Sequence, residues 1–155
     1  MTRSFLDTNV LVYADDPDAG GKQRRAQELL EVALTTGNGA LSTQVLQEYF
    51  VVATRKLGVP PDVAQRRVEI YASLSVITID IQHIVQSIKL HRLHQLSFWD
   101  ALIVHAASVA GCAQLCSEDM QDGAVLEGVK VVNPFKVARA SEDVPPRGAR
   151  SSRRR

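Results

Sequence analysis

The strongest constraint in this sequence is an alternation. Short apolar or β-branched runs at residues 3–6, 40–41, 76–79, 113–116 and 129–132 are separated by stretches with helical spacing. Residues 22–35 place Ala26, Leu29, Leu30 and Ala33 three and four apart, and Gly37 and Gly39 end the pattern. Residues 43–57 carry Val45, Leu46, Tyr49, Phe50 and Ala53 on one side, ending before Gly58 and the Pro60-Pro61 pair. Further helices are expected at 62–74, 81–94 and 98–110. Strands alternating with helices imply a parallel sheet sandwiched by helices, an α/β fold with three αβα layers and roughly five strands. In such sheets ligands bind beyond the carboxyl ends of the strands, where strand order reverses.

That geometry gives meaning to an oddity at the first strand. In "SFLDTNVLVY" an aspartate, Asp7, interrupts an apolar run at the strand's carboxyl end. Asp119 closely follows the fourth expected strand and would enter the same crevice. Glu48 and Asp100 are likewise flanked by residues that belong inside. Each acid has a plain structural explanation when taken singly. Asp7 can cap whatever begins at Thr8. Asp100 stands three residues after Ser97, as in a capping box. Glu48 can lie on a solvated edge, and Asp119, with Glu118 and Asp122, can form a polar turn. Jointly they are harder to dismiss, because clustered carboxylates raise one another's pKa and a divalent cation removes the conflict. Hard oxygen donors favour Mg²⁺, with Mn²⁺ as a substitute. Acids gathered at a sheet crevice therefore point to metal-dependent phosphodiester hydrolysis through activated water.

Five ordered segments, "FLDTNVLVY", "LSTQVLQEYF", "SFWDALIVHAA", "LCSEDMQDG" and "GVKVVNPF", resemble the PIN-domain ribonucleases, particularly VapC-type toxins of bacterial toxin–antitoxin pairs. The resemblance covers residues 3 to about 136. It implies that Asp7, Glu48, Asp100 and Asp119 are the catalytic and metal-holding acids, with Asn9 and Ser117 as polar helpers. Asp122 matches no core position of the family. The resemblance also implies an endoribonuclease acting on RNA, a cognate antitoxin that silences it, and a homodimer formed through helical faces. A non-catalytic RNA- or protein-binding module of the same fold, and a housekeeping RNA- or DNA-processing nuclease, are the alternatives.

Charge narrows the means of binding. The chain's 155 residues carry 18 Lys/Arg and 17 Asp/Glu. Setting aside 141–155, which hold five arginines and two acids, leaves thirteen basic against fifteen acidic residues. The body is thus slightly acidic, unlike a protein that grips nucleic acid by broad electrostatics. Residues 1–136 are expected to form the nuclease domain and 137–155, ending in "PPRGARSSRRR", a basic disordered tail. The apolar runs are too short to span a membrane, and no secretory signal is visible. Cys112 and Cys116 suit a reducing cytoplasm as buried small hydrophobes, with pairing of the two as the alternative.

Other signals carry less. "DTN" lacks the second aspartate of a phosphatase pattern, and "GNGALS" follows a helix rather than a strand. His91 and His94 are expected at the surface and His105 partly buried. Trp99 is expected to pack, although its place beside Asp100 leaves base stacking open. Arg25, Arg55 and Lys56 are expected to be ordinary solvated residues, with phosphate contact as the alternative reading.

Overall fold

The computed structural model describes residues 2–136, so the arginine-rich tail lies outside the described residues. Five strands run parallel: β1 (Ser4–Leu6), β2 (Gly39–Ser42), β3 (Ser75–Ile77), β4 (Gln114–Cys116) and β6 (Val129–Val132). A sixth, β5 (Val125–Leu126), pairs antiparallel with β6 and closes one edge, giving the order β3-β2-β1-β4-β6-β5. The five-stranded expectation therefore lacked β5. Its hairpin turns on Glu127 and Gly128, both at positive φ. That is the geometry of a two-residue primed turn without the usual Asn-Gly or Asp-Gly signature.

Six α-helices flank the sheet among the described residues: α1 (Thr8–Ala14), α2 (Gly21–Thr36), α3 (Thr43–Arg55), α4 (Pro61–Tyr71), α5 (Ile81–His94) and α6 (Phe98–Val109). Five follow the apolar spacing of the sequence. The sixth, α1, begins immediately after β1, with Asp7 as its cap. Its Val10, Leu11 and Ala14 are buried, so the apolar residues after Asp7 belong to a helix facing the core. Gly37, at φ 75°, ends α2 in the left-handed conformation, accepting the role a C-terminal glycine fills most cheaply. Gly39 serves differently. A Cβ there would lie 2.6 Å from Cβ of Ala33, so only glycine lets α2 settle on β2.

The core is built from Phe5, Leu6, Leu11, Leu41, Val45, Tyr49, Val104, Leu115 and Val131, drawn from strands and from the inner faces of α1, α3 and α6, with Phe135 from beyond β6. Parallel strands covered on both faces read as continuous apolar runs, which is how β1, β2 and β4 read here. Among the described residues no helix is long and apolar enough to cross a membrane. Cys112 and Cys116 are buried and unpaired, and burial pushes both thiols up to about 11. His105 meets His83 across α5 and α6, ring nitrogens 3.0 Å apart, which accounts for its burial. His91 is exposed, while His94 is half-buried against Glu127 at 3.1 Å.

The sheet order fixes where a site can form. Chain order runs outward from β1 in two directions, through β2 and β3 on one side and through β4 and β6 on the other. The reversal lies between β1 and β4, and the crevice beyond their carboxyl ends receives Asp7 from one and Ser117 to Asp119 from the other. A backbone hydrogen bond from Asp7 N–H to Cys116 O, 3.1 Å, ties the two strand ends together.

Candidate active site

Asp7 is 5% exposed. Its Oδ1 accepts from Thr8 N–H at 2.7 Å and its Oδ2 from the Ser117 hydroxyl at 2.7 Å. Ser117 is itself fully buried, and its Oγ accepts from Asp119 N–H at 3.2 Å. One hydroxyl thus couples the end of β1 to the loop after β4. Asp119 is exposed and accepts from Asn9 Nδ2 at 3.2 Å, which joins that loop to the first turn of α1. Glu48, from the middle of α3, accepts from Thr8 Oγ1 at 2.6 Å and from Gln44 Nε2 at 3.2 Å. Asp100 enters from the first turn of α6, where Ser97 Oγ accepts its backbone N–H at 3.0 Å. Capping and site membership coexist, because the first turn of α6 faces the crevice.

The electrostatics show that these side chains feel one another. Burial pushes the Asp7 carboxyl up to about 6, with the negative charges of Asp119 and Glu48 adding to it and the Ser117 and Thr8 hydrogen bonds opposing it. Asp100 is raised by burial, and again by Asp119 and Glu48, against the hydrogen bond of Ser97. Among the described residues no Lys or Arg forms an ion pair with any of the four. Asp7 and Asp100 each feel both Glu48 and Asp119, so acids from the end of β1, from α3, from α6 and from the loop after β4 form one electrostatic cluster with no ion-paired cation among the described residues.

This donor set suits a hydrated divalent cation. Among the described residues no three acidic, histidine or cysteine side chains converge closely enough to cage a bare ion. Mg²⁺ does not require that: it keeps several waters and is held by one or two carboxylates. The oxygen Oδ1 of Asn9 is buried without a hydrogen-bond partner beside Asp119, a further hard donor in the same place. Residues and ion match in donor type: hard carboxylate and amide oxygens, with no ion-paired cation among the described residues.

A cleft of about 720 Å³ opens beside the acids, lined by Asn9, Val12, Tyr13, Glu48, Val52, Trp99 and Asp119 among others. Its Gln47 and Val51 are shared with a second, more apolar hollow of about 580 Å³ between α3 and α4. Trp99 departs from its expected packing: its side chain is 60% exposed on the cleft wall, because α6 buries Ala101, Leu102, Ile103 and Val104 instead.

Thr8 and Gln44 were not singled out by the sequence, yet they anchor both oxygens of Glu48. Thr8 is the neighbour of Asp7, and Gln44 stands one helical turn before Glu48, a spacing that was available. The cluster "SEDMQDG" splits by role. Glu118 accepts from the Tyr13 hydroxyl and pairs with Lys22 at 2.6 Å. Asp122 accepts from Asn133 N–H at 2.8 Å and holds a turn. Arg25 reaches Pro134 O and Glu28 rather than the acids.

The model of the PIN domain matches residues 4–121. The chain belongs to the PIN-domain family. No curated protein matches it significantly in sequence. Among solved structures it is similar to a toxin–antitoxin complex from Klebsiella pneumoniae, 25% identical over 84% of this chain and 97% of that one, with a TM-score of 0.61. It shares its fold with VapC20 of Mycobacterium tuberculosis, described as a sarcin–ricin loop cleaving toxin. That match is 17% identical over 75% and 89% of the two chains, with a TM-score of 0.61. DNA-bound VapBC from Salmonella typhimurium matches at 18% identity over 84% and 97%, with a TM-score of 0.59. The PIN domain's structural neighbours are thus VapC toxins of toxin–antitoxin complexes.

Proposed function

We propose that this PIN domain is a Mg²⁺-dependent endoribonuclease toxin, silenced by a cognate antitoxin, with Asp7, Glu48, Asp100 and Asp119 as its metal-holding and catalytic acids. The observation that carries the reading is the buried Asp7 carboxylate, held by neutral donors, under the negative charge of Asp119 and Glu48, and with no cationic partner among the described residues. These acids would hold Mg²⁺, which would supply charge neutralisation, a more acidic water and stabilisation of the departing phosphodiester oxygen. Ser117 and Thr8 fix both oxygens of Asp7, so its remaining lone pairs point in one direction. Asn9 holds Asp119 through one donor. Glu48, anchored by Thr8 and Gln44, keeps lone pairs to orient the attacking water and take its proton. Hydrolysis of this kind leaves 5′-phosphate and 3′-hydroxyl ends and does not use the 2′-OH, so a preference for RNA comes from shape and contacts.

The partners follow from two surfaces. Val12, Val51 and Val52 in the cleft, continuous with Leu46, Phe50 and Val68 in the second hollow, offer an apolar track that ends at the acids. An amphipathic antitoxin segment fits such a track, and an arginine at its end would meet the uncompensated carboxylates. On α5, Ile81, Ile84, Val85 and Ile88 share one exposed face at three- and four-residue spacing, which suits a second copy of this chain. Sedimentation of wild type against Ile84→Glu checks the dimer, which is wrong if both run as monomers at micromolar concentration.

The nuclease reading is tested with partner-free protein, structured RNAs and matched DNAs in Mg²⁺, Mn²⁺ or chelator, beside Asp7→Asn. Cuts in RNA that need metal and vanish in the variant are expected. Equal inertness of wild type and variant, with RNA still bound, would instead make the chain a non-catalytic binding module, and preferential cutting of DNA would make it a DNA nuclease.

A further inference from the structure

The cleft beside the acids lacks the usual means of holding nucleic acid. Among the described residues none of those lining it is Lys or Arg, and two of the four acids, Glu48 and Asp119, line it, with Asp7 and Asp100 each within electrostatic reach of both. Counterion release from phosphates therefore supplies little affinity there. What the cleft does offer is an indole. Trp99 is 60% exposed, in the residue position immediately before Asp100, and lines the same cleft as Glu48, Asn9 and Asp119. Phe98 meets it edge-on, ring centroids 5.1 Å apart at 74°, so the indole is braced rather than free to swing. So large an apolar surface stays in water at the first turn of a helix that buries Ala101 to Val104 just beyond it, so its exposure is not explained by the packing of α6.

We propose that Trp99 is a stacking platform for an unpaired base beside the phosphodiester presented to the acids, and so determines which nucleic acids are held. This rests on the nuclease reading for the identity of the substrate, and on the Trp99–cleft geometry for the contact. Base–aromatic stacking tolerates any sequence, because every base has a π-face, and it contributes affinity without positive charge. A paired base has both faces covered by its neighbours in the helix. The substrate class is therefore a single strand, loop or bulge, not a continuous duplex. A nucleotide whose phosphate lies at the acids carries its base within one sugar of that position, and Trp99 is adjacent in sequence to one of those acids. An antitoxin side chain resting on Trp99 would use the same surface; the unpaired base is favoured because the indole adjoins the acids rather than the more apolar hollow between α3 and α4, which Trp99 does not line.

Trp99 is the only tryptophan of the chain, so its fluorescence reports the contact directly. Full-length, partner-free Asp100→Asn protein in Mg²⁺ is titrated with a single-stranded oligoribonucleotide, the same strand in a duplex, and a strand with one abasic position. Quenching by the single strand, weakened by the abasic site and absent with the duplex, is expected. In wild type, Trp99→Ala should raise KM about tenfold with kcat nearly unchanged, and Trp99→Phe should recover most of the loss. Absence of quenching together with unchanged KM in Trp99→Ala overturns the proposal, and leaves the nuclease reading standing if RNA is still cut. Quenching by single strands without any cleavage upholds the stacking role and sinks the nuclease reading instead. Should Trp99→Ala retain full RNA affinity but lose binding of a purified antitoxin, the residue is a protein contact and the proposal is wrong.

Discussion

The helix α1 has an aspartate at each end, and the two are treated in opposite ways. Asp15, its C-terminal cap, receives the Arg67 guanidinium from α4 and the hydroxyl of Tyr49 from α3. Tyr49 in turn packs edge-on against Tyr71, centroids 5.7 Å apart, so the Asp15 cluster joins α1, α3 and α4 into one body. Asp7, its N-terminal cap, receives only neutral donors and feels two more acids, Asp119 and Glu48. An arginine is placed on one buried carboxylate and, among the described residues, none on the other, which is what the proposed function requires of an acid that takes a cation from outside. The difference between the two is the difference between an acid that organises the fold and an acid that the fold organises.

The largest effect that would break the comparison is at the structural end. Arg67→Met keeps the stem of the side chain but leaves Asp15 without its cation. Removing one partner of a buried pair costs roughly 3–5 kcal/mol, and the 39% exposure of the Arg67 side chain puts this variant near the lower limit, about 3 kcal/mol. Urea unfolding should record that loss with an unchanged m-value, while cleavage per folded molecule stays close to wild type. If Arg67→Met abolished cleavage in fully folded protein, the two acids would not be separable into structural and functional roles.

At the other end the sign reverses. The folded pKa of Asp7 is about 6 against 3.8 for the free side chain, so the metal-free folded state binds more protons than the unfolded state between those values. Its stability therefore falls as pH rises through that window, and the full penalty is present at pH 7. Two units correspond to about 3 kcal/mol. Asp7→Asn removes the charge and keeps the shape, so in chelator at pH 7 it should be more stable than wild type by about 2 kcal/mol, with most of the pH dependence gone. Mg²⁺ should raise the melting temperature of wild type and not of the variant, since ligand binding to the folded state alone is stabilising. A destabilised Asp7→Asn protein would mean that the carboxylate is structural after all.

This contrast also marks how far the sequence could be followed. Asp7 stands out because a carboxylate in an apolar run at a strand end is visible in one dimension, and the same holds for Asp100 after its Ser97 cap. The parallel strands and five helices follow from apolar spacing, which records burial residue by residue. The helix α1 does not, because it is only seven residues long and its Val10-Leu11-Val12 run is consecutive and rich in β-branched valine rather than spaced three and four apart. The strand β5 is two residues long and turns on Glu-Gly. The pairing of Asp15 with Arg67 joins residues 52 positions apart and depends on how α4 docks on α3, which no local pattern encodes. Trp99 illustrates the same limit from the surface: its helical position is legible, but which side of α6 the cleft occupies is a property of the assembled fold.

The smallest effect tests the hinge between the two strand ends. The Ser117 hydroxyl donates to Asp7 and accepts from Asp119 N–H, so it holds the two acids in register although it meets neither solvent nor substrate. Ser117→Ala removes a hydrogen bond to an ionised carboxylate, a loss of roughly 1.5–3 kcal/mol if the site did not relax. Part of that returns here, because the bond favours the charged form of Asp7, and the variant should push the Asp7 carboxyl still higher. A net destabilisation of about 1 kcal/mol is expected, smaller than for Arg67→Met. The functional consequence is larger relative to the stability cost. Partners that orient metal-holding side chains are typically worth 10–100-fold in affinity or rate, so Mg²⁺ should have to rise about tenfold to restore half-maximal cleavage. The pH at which metal-dependent cleavage sets in should also move upward, since Asp7 must lose its proton before it can hold a cation. Ser117→Thr, which keeps the hydroxyl, should recover the metal requirement if the fully buried position tolerates the added methyl. A Ser117→Ala protein with an unshifted pH profile and Mg²⁺ requirement would show that Asp7 and Asp119 are held together by the backbone bond between the strand ends alone.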